Sequence, residues 1–113
     1  MYITYQLVIT IANPVCVAVG ALGVFRFPAG RYVYTGSARR NLQARIDRHL
    51  SSAKCLRWHI DYLLNAPGVR VTDVRRFDEP ECRVNQRTAG EITLPRFGAS
   101  DCGAGCGSHL KRL

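Results

Sequence analysis

The sequence predicts a small protein with both strands and helices, α/β in the broad sense and α+β in type. Strands occupy its first third and helices follow them. Two patterns predict this class. Apolar residues alternate with smaller or polar ones from Tyr5 to Ile11, which indicates a strand. Leu42, Ile46 and Leu50 then recur at four-residue steps, which is helical periodicity. The chain has 113 residues, 47% of them hydrophobic, which predicts one domain, residues 1–113.

Turn residues divide the first third into four predicted strands, with a hairpin inserted between the first and the last. Asn13-Pro14 is a turn signal, and Gly20 and Gly23 bound a tight turn. The pattern is therefore a β-meander. Its predicted strands are Tyr2–Ala12, Val15–Val19, Leu22–Phe27 and one that carries Tyr32 and Tyr34.

Helices and one further strand are predicted after the meander. The helix that ends near Leu50 carries Arg45 and His49 four residues apart, which places both on one face beside the apolar stripe. Asp78 is a suitable N-cap for the last helix. The other predicted elements are a helix Arg57–Leu64, a strand Val69–Phe77, a helix to Ala89, and an irregular glycine-rich segment from Phe97 onward.

The composition predicts an anionic partner and no membrane contact. The formal net charge is +8, and nucleic acid is the commonest partner of a small basic domain. Residues 1–25 carry no charge, but Asn13-Pro14 and the strand alternation argue against a signal peptide or a membrane span. Five cysteines, an odd number, indicate reduced thiols. We therefore expect a cytoplasmic, nucleoid-associated protein.

Glu81 is the carboxylate best placed to hold a metal ion for phosphodiester hydrolysis, because it lies in the first turn of the last predicted helix, where its side chain can face the adjacent sheet. The alternative is a capping box, in which Asp78 and Glu81 only stabilise the helix start, by about 1 kcal/mol. Arg45 offers a bidentate fork to a phosphate in the transition state, or belongs to a solvated basic face. Both pairs of alternatives stay open at the sequence level.

The cysteines allow a second kind of metal site. Cys102, Cys106 and His109 supply soft ligands near the end of the chain, and Cys82 could complete a four-ligand zinc site. Their spacing matches none of the standard zinc knuckles. The alternative is that they are thiols in a tight turn.

Tyrosine, glycine, arginine, histidine and glutamate follow one another in a set order. Tyr5 lies in the first strand, Tyr34-Thr35-Gly36 in a later strand, Arg45 and His49 on the next helix, and Glu81 on a later helix. This order resembles the GIY-YIG nuclease superfamily. Within it the chain is most similar to a small-domain branch long labelled as a domain of unknown function, sometimes fused to endonuclease III proteins. The supporting motifs are GRYVYTGSA (30–38), RIDRHL (45–50), WHIDYL (58–63), EC (81–82), FGASDC (97–102) and SHL (108–110).

The resemblance implies a small, mainly antiparallel sheet flanked by about three helices, and hydrolysis of a phosphodiester by water with one Mg²⁺ or Mn²⁺ ion. It implies that Tyr5 or Tyr34 acts as the general base or relays to it. An unperturbed phenol, with a pKa of ~10, is neutral at pH 7, so this role needs a cation that lowers its pKa. The other implied roles are transition-state clamp for Arg45, proton transfer or phosphate contact for His49, and metal ligand for Glu81.

We therefore expect a metal-dependent DNA endonuclease that acts in DNA repair or on single-stranded or branched DNA, with DNA preferred over RNA. The alternatives are a noncatalytic nucleic-acid-binding module with the same fold and a zinc-stabilised interaction domain. Candidates for the late family asparagine are Ser100, Asp101, Ser108 and His109. Candidate nucleic-acid contacts are Arg31, Ser37, Arg39, Arg40, Arg48, Trp58 and His59.

Overall fold

In the computed structural model of the chain, a four-stranded antiparallel sheet and a two-stranded sheet combine with three helices. The α+β class predicted from the sequence is confirmed. The structure describes residues 2–38, 40–51, 56, 58–98 and 106–113. The strands are β1 (Thr4–Ile11), β2 (Val15–Ala18), β3 (Val24–Phe27), β4 (Gly30–Ser37), β5 (Val69–Phe77) and β6 (Leu110–Arg112), and the helices are α1 (Leu42–Leu50), α2 (His59–Leu64) and α3 (Glu81–Arg87).

The main sheet has the strand order β5-β1-β4-β6, and every neighbouring pair is antiparallel. Strands β2 and β3 pair with each other and form the hairpin predicted between β1 and the tyrosine-bearing strand β4. In the central pair, Tyr5 lies opposite Gly36, and Leu7 lies opposite Tyr34. Both motif tyrosines therefore project from the same face of the sheet.

That face carries the main hydrophobic core. Helices α1 and α2 and the hairpin cover it, which accounts for the buried aliphatic and aromatic side chains of β1 and β4. Phe97 adds an aromatic ring from the segment before β6, edge-on to Phe27 and Tyr34. The largest core residues from the sheet are Tyr5, Leu7, Ile9, Ile11, Tyr32 and Leu110.

The opposite face is covered by α3 and contains buried polar groups. Gln6 donates to the hydroxyls of Thr35 at 3.1 Å and Thr88 at 2.7 Å. The Lys111 ammonium is buried and donates to the carbonyl oxygens of Asn85 and Thr88, the second at 2.7 Å. Because a buried cation is costly without partners, these bonds hold the C-terminal end of α3 against β6 in one arrangement.

Strand β5 is an edge strand with a register shift opposite Val8 and Ile9. Val8 pairs with Asp73 and Ile9 with Val71, so the residue between the two partners is extra. A β-bulge of this kind explains why the valines at 71 and 74 are three residues apart and still line one face.

Three sequence predictions are corrected by the fold. The predicted irregular segment at the end of the chain contains strand β6, which extends the sheet beside β4. A short 3₁₀ helix, Gly20–Leu22, replaces the predicted start of the third strand, which begins at Val24. Helix α3 begins at Glu81 and ends at Arg87, so it is shorter at both ends than predicted. Among the described residues, no helix is long and apolar enough to cross a membrane.

Candidate active site

The turn between β4 and α1 positions the first part of the candidate site. Asn41 precedes the helix with φ of +50°, a left-handed conformation that asparagine tolerates better than most residues. Its side chain accepts a hydrogen bond from the Ala44 amide at 3.1 Å and caps α1. This turn directs α1 across the sheet face that carries the two tyrosines.

Helix α1 buries a different set of residues from the one that the sequence pattern predicts. The buried positions are Leu42, Ile46 and His49, whereas Leu50 is 54% exposed. At about 100° per residue, His49 lies roughly 20° from the direction of Leu42, whereas Leu50 lies roughly 80° from it. His49 is therefore inside the buried stripe, and its prediction beside the stripe was wrong.

Buried His49 contacts the Tyr5 side chain from β1. The Tyr5 hydroxyl lies 2.5 Å from His49 Nε2, although the two residues are 44 positions apart in the chain. The His49 ring also packs edge-on against Tyr34, with 6.2 Å between the ring centroids. The hydrogen bond makes the phenol and the imidazole one unit through which a proton can pass.

Asp61 lies behind the histidine and is fully buried. Its two carboxylate oxygens accept a bidentate pair of hydrogen bonds from Arg48 at 2.9 and 3.0 Å, and one oxygen also accepts from the Trp58 amide. Asp61 Oδ1 lies 3.9 Å from His49 Nδ1, which favours a proton on that nitrogen. A buried carboxylate therefore lies on the far side of the imidazole that faces Tyr5.

Arg45 occupies the half-buried side of α1 next to this unit. Its guanidinium donates to the Ser37 carbonyl oxygen at 3.1 Å and lies 4.5 Å from the centre of the Trp58 ring. Its positive charge lies close enough to the Tyr5 hydroxyl to lower the pKa of that phenol. A guanidinium held by a carbonyl oxygen and an aromatic face has a restricted orientation.

Glu81 reaches the same cluster from the first residue of α3. The side chain is 26% exposed, and its Oε2 lies 2.7 Å from His109 Nδ1. Burial raises the pKa of Glu81, but the neighbouring His109 and Ser37 side chains and the charge of Arg45 outweigh it, so the pKa lies below its usual range. The group is therefore an ionised carboxylate at neutral pH.

The capping-box alternative for Glu81 is wrong. Pro80 occupies the N-cap position of α3, and no side-chain hydrogen bond caps the described helix start. The Glu81 carboxylate is instead directed at His109. The position of the Glu81 side chain is therefore set by its contact with His109 and not by a capping role in α3.

Both tyrosine hydroxyls are unfavourable places for a negative charge. Burial raises the pKa of Tyr5 well above its usual range, although the neighbouring Arg45 lowers it. Burial also raises the pKa of Tyr34, and the nearby Tyr5 and Glu81 add to that increase. Tyr5 is the one with a hydrogen bond to His49, so it is better placed to relay a proton.

The residues predicted to contact nucleic acid are not all brought to this site. Ser37 belongs to it, and Arg40 is exposed just before α1. Arg31 pairs with Thr10 at the other end of β4, roughly 17 Å from Gly36 at ~3.3 Å per strand residue. Arg39 lies outside the described residues.

The three remaining predicted contacts have structural partners. Arg48 binds Asp61 and stacks on Trp58 at 4.2 Å, so it joins α1 to α2. Trp58 thus receives both arginines of α1 on its ring. His59 Nδ1 accepts a hydrogen bond from the Gly98 amide at 2.9 Å, and its ring packs on Phe97.

The donor set is compatible with a hard divalent ion. Mg²⁺ and Mn²⁺ prefer oxygen ligands, and Mg²⁺ is commonly held by one or two carboxylates with waters or phosphate oxygens in the other positions. Glu81 is ionised and partly exposed, so it fits the role of that single carboxylate.

His109 and Asp61 lie at the site although neither was among the predicted catalytic residues. His109 was a candidate for a zinc ligand or for the late asparagine, and in the structure it holds Glu81. Ser108 is a structural residue whose hydroxyl bonds the Leu110 amide at 3.1 Å. The other candidates, Ser100 and Asp101, lie outside the described residues. A charged residue inside an apolar run, as in WHIDYL, was the available signal for Asp61.

The fold and the site together define a class: a small, basic α+β protein in which tyrosine, histidine, arginine and glutamate meet at a strand-to-helix turn. A family model described as domain of unknown function DUF123 matches residues 4–113, so the chain belongs to that family. A search of curated proteins finds no significant match. None of the solved structures matches significantly either.

Proposed function

We propose that the chain is a metal-dependent endonuclease of the GIY-YIG type that hydrolyses DNA phosphodiester bonds. The observation that carries the proposal is the meeting of Tyr5, His49, Arg45 and Glu81, which come from β1, α1 and α3. A proton relay, a fixed guanidinium and an ionised carboxylate are together able to catalyse phosphodiester hydrolysis. The net charge of +8 supports a polyanionic substrate.

In this proposal, Tyr5 acts as a relay and not as a phenolate. Its raised pKa disfavours the charged form, whereas its hydrogen bond to His49 Nε2 offers the proton a neutral route. The hydroxyl accepts a proton from the attacking water as it passes its own proton to His49. Asp61 then lies close enough to favour the imidazolium that results.

Arg45 and Glu81 stabilise the negative charge on the phosphate in two different ways. The Arg45 guanidinium faces the extra negative charge of the transition state, and loss of one such preorganised donor costs on the order of 10²-fold in rate. Glu81 would hold Mg²⁺ or Mn²⁺, which lowers the pKa of a bound water and neutralises phosphate charge.

The test is cleavage of labelled single-stranded, duplex, flap and junction DNA, with matched RNA, in Mg²⁺, Mn²⁺ or EDTA. We expect metal-dependent cleavage that is abolished by Glu81→Gln and reduced on the order of 10²-fold by Arg45→Gln. Glu79→Gln is the matched control, because this partly exposed carboxylate two residues away pairs with Arg87 outside the site.

A noncatalytic nucleic-acid-binding module is the second candidate. It is favoured by the raised pKa of both tyrosines and by the engagement of Glu81 with His109. For that function we expect salt-sensitive binding without cleavage, equal in the wild type and in Glu81→Gln. Cleavage that persists in EDTA or in Glu81→Gln would contradict the endonuclease proposal.

A further inference from the structure

A second cluster of metal-ligating side chains lies beside Glu81. Cys82, Cys106 and His109 each contribute one ligand atom, and these three atoms all lie within 4.8 Å of one another. In a tetrahedral zinc site with ligands at 2.0–2.3 Å, neighbouring ligand atoms are about 3.3–3.8 Å apart. The three side chains therefore need to move by only about 1 Å to close on one ion.

The backbone holds the three residues near one another from separate parts of the chain. Cys82 lies on α3, whereas Cys106 and His109 are three residues apart just before β6. Gly107 between them has φ of +80°, a left-handed conformation suited to glycine, and it turns the chain. The His109 amide donates to the Phe97 carbonyl oxygen at 2.8 Å and fixes this turn against the core.

The surroundings of the cluster are those of a metal site. His109 Nδ1 lies 2.7 Å from Glu81 Oε2, and a proton kept on Nδ1 by this carboxylate would leave Nε2 as the nitrogen for the metal. Gln86 Nε2 donates a hydrogen bond to Cys106 Sγ at 3.6 Å, which links this sulfur to α3. Cys82 and Cys106 are only partly buried, so solvent reaches the cluster. A water molecule could therefore take the fourth coordination position of a tetrahedral ion.

We propose that Cys82, Cys106 and His109 bind a zinc ion, with Glu81 as the hydrogen-bonded partner of the histidine. Two thiolates and an imidazole match a soft divalent cation and not Mg²⁺, which prefers oxygen. The site joins α3 to the segment before β6. The proposal needs no catalysis, so metal binding tests it without the endonuclease function. Glu81 is the residue that the two proposals share, and the cysteine variants test the zinc site without changing it. Cys102, the fourth ligand considered from the sequence, lies outside the described residues.

Metal analysis of protein purified under reducing conditions tests this site. We expect about one zinc per chain in the wild type, lost in Cys82→Ser and in Cys106→Ser. Cys16→Ser is the matched control, because Cys16 is exposed on the hairpin, and it should retain the ion. A wild type that binds no zinc when titrated, or serine variants that retain it, would overturn the proposal. A disulfide bond found in the reduced preparation would also overturn the proposal, because its two sulfurs could not bind the ion as thiolates.

Cobalt substitution keeps the proposal testable where a serine variant fails to fold. Wild-type protein titrated with Co²⁺ should show the thiolate-to-metal absorption and the intense visible bands of a tetrahedral site. Their absence would overturn the proposal. For Glu81→Gln we expect zinc affinity to fall by roughly 10- to 100-fold, as is typical when a partner of a ligating histidine is changed. An unchanged affinity would remove Glu81 from the proposal.

Discussion

The contact between Tyr5 and Gly36 shows how closely the site is packed at the residue scale. The two residues are cross-strand partners in β1 and β4. A Cβ atom at Gly36 would lie 2.5 Å from the Tyr5 hydroxyl oxygen and 2.6 Å from the ring carbon that bears it. The absence of a side chain at Gly36 therefore makes room for the hydroxyl that bonds His49.

We expect Gly36→Ala to lower the free energy of unfolding by about 1–3 kcal/mol, the usual cost of overpacking a core. The ring of Tyr5 is buried and cannot move aside cheaply. Urea unfolding checks this value. In a Tyr5→Leu background the added methyl group has room, so the cost of Gly36→Ala should be smaller there. Equal costs in the two backgrounds would show that the clash lies elsewhere.

His59 predicts a pH dependence of stability. Burial lowers the pKa of His59 below its usual value of about 6.5. The unfolded state therefore takes up the proton first, so this contribution to stability is complete above pH 6.5 and is lost as the pH falls through the folded-state pKa. Protonation would also remove the acceptor that binds the Gly98 amide.

His59→Asn isolates that contribution, because the asparagine Oδ1 can accept from Gly98 without titrating. We expect the wild type to lose stability between pH 7.5 and 5.5, and the variant to lose less over the same range. The thermal unfolding midpoint measured across this range gives the difference. Identical pH profiles would show that other groups carry the pH dependence.

At the scale of elements, α1 depends on its N-terminal cap. Asn41 contributes both the left-handed backbone and a side-chain acceptor for the Ala44 amide. Asn41→Ala loses both, whereas Asn41→Gly keeps the backbone conformation at little cost and loses only the acceptor. Because α1 carries Arg45 and His49, the cap also positions the site.

We expect Asn41→Ala to destabilise the protein by about 2 kcal/mol, from a lost cap of ~1 kcal/mol and a left-handed penalty of ~1 kcal/mol. Asn41→Gly should lower the free energy of unfolding by only about a few tenths of a kcal/mol relative to the wild type. Denaturant unfolding of the two variants checks the difference. Equal losses would mean that the backbone conformation carries no energetic weight at this position.

At the scale of the whole molecule, the positive charge is spread over several elements. Arg40 is exposed near the site, whereas Arg31 is exposed at the opposite end of the sheet. Affinity for a nucleic acid falls with salt in proportion to the number of phosphate contacts. The salt dependence therefore reports which end of the molecule binds.

We expect Arg40→Gln to reduce the slope of log affinity against log salt concentration by about 0.7–0.9, the effect of one lost phosphate contact. Arg31→Gln should change it less, because of its distance from the site. Fluorescence anisotropy of a labelled oligonucleotide over a salt series measures both. An equal reduction for Arg31→Gln would place the nucleic acid along the whole sheet.

The sequence by itself determined the α+β class, most of the strands and helices, and the order of the candidate site residues. Periodicity and turn residues are local signals, so they survive without tertiary contacts. The hairpin and strand β5 were predicted for this reason. Only the tertiary structure decided the burial of His49, the pairing of Glu81 with His109, and strand β6. Each of these depends on partners distant in the chain. A three-residue strand has too short a pattern to be recognised alone, and a carboxylate can cap its own helix or bind another segment with similar energy.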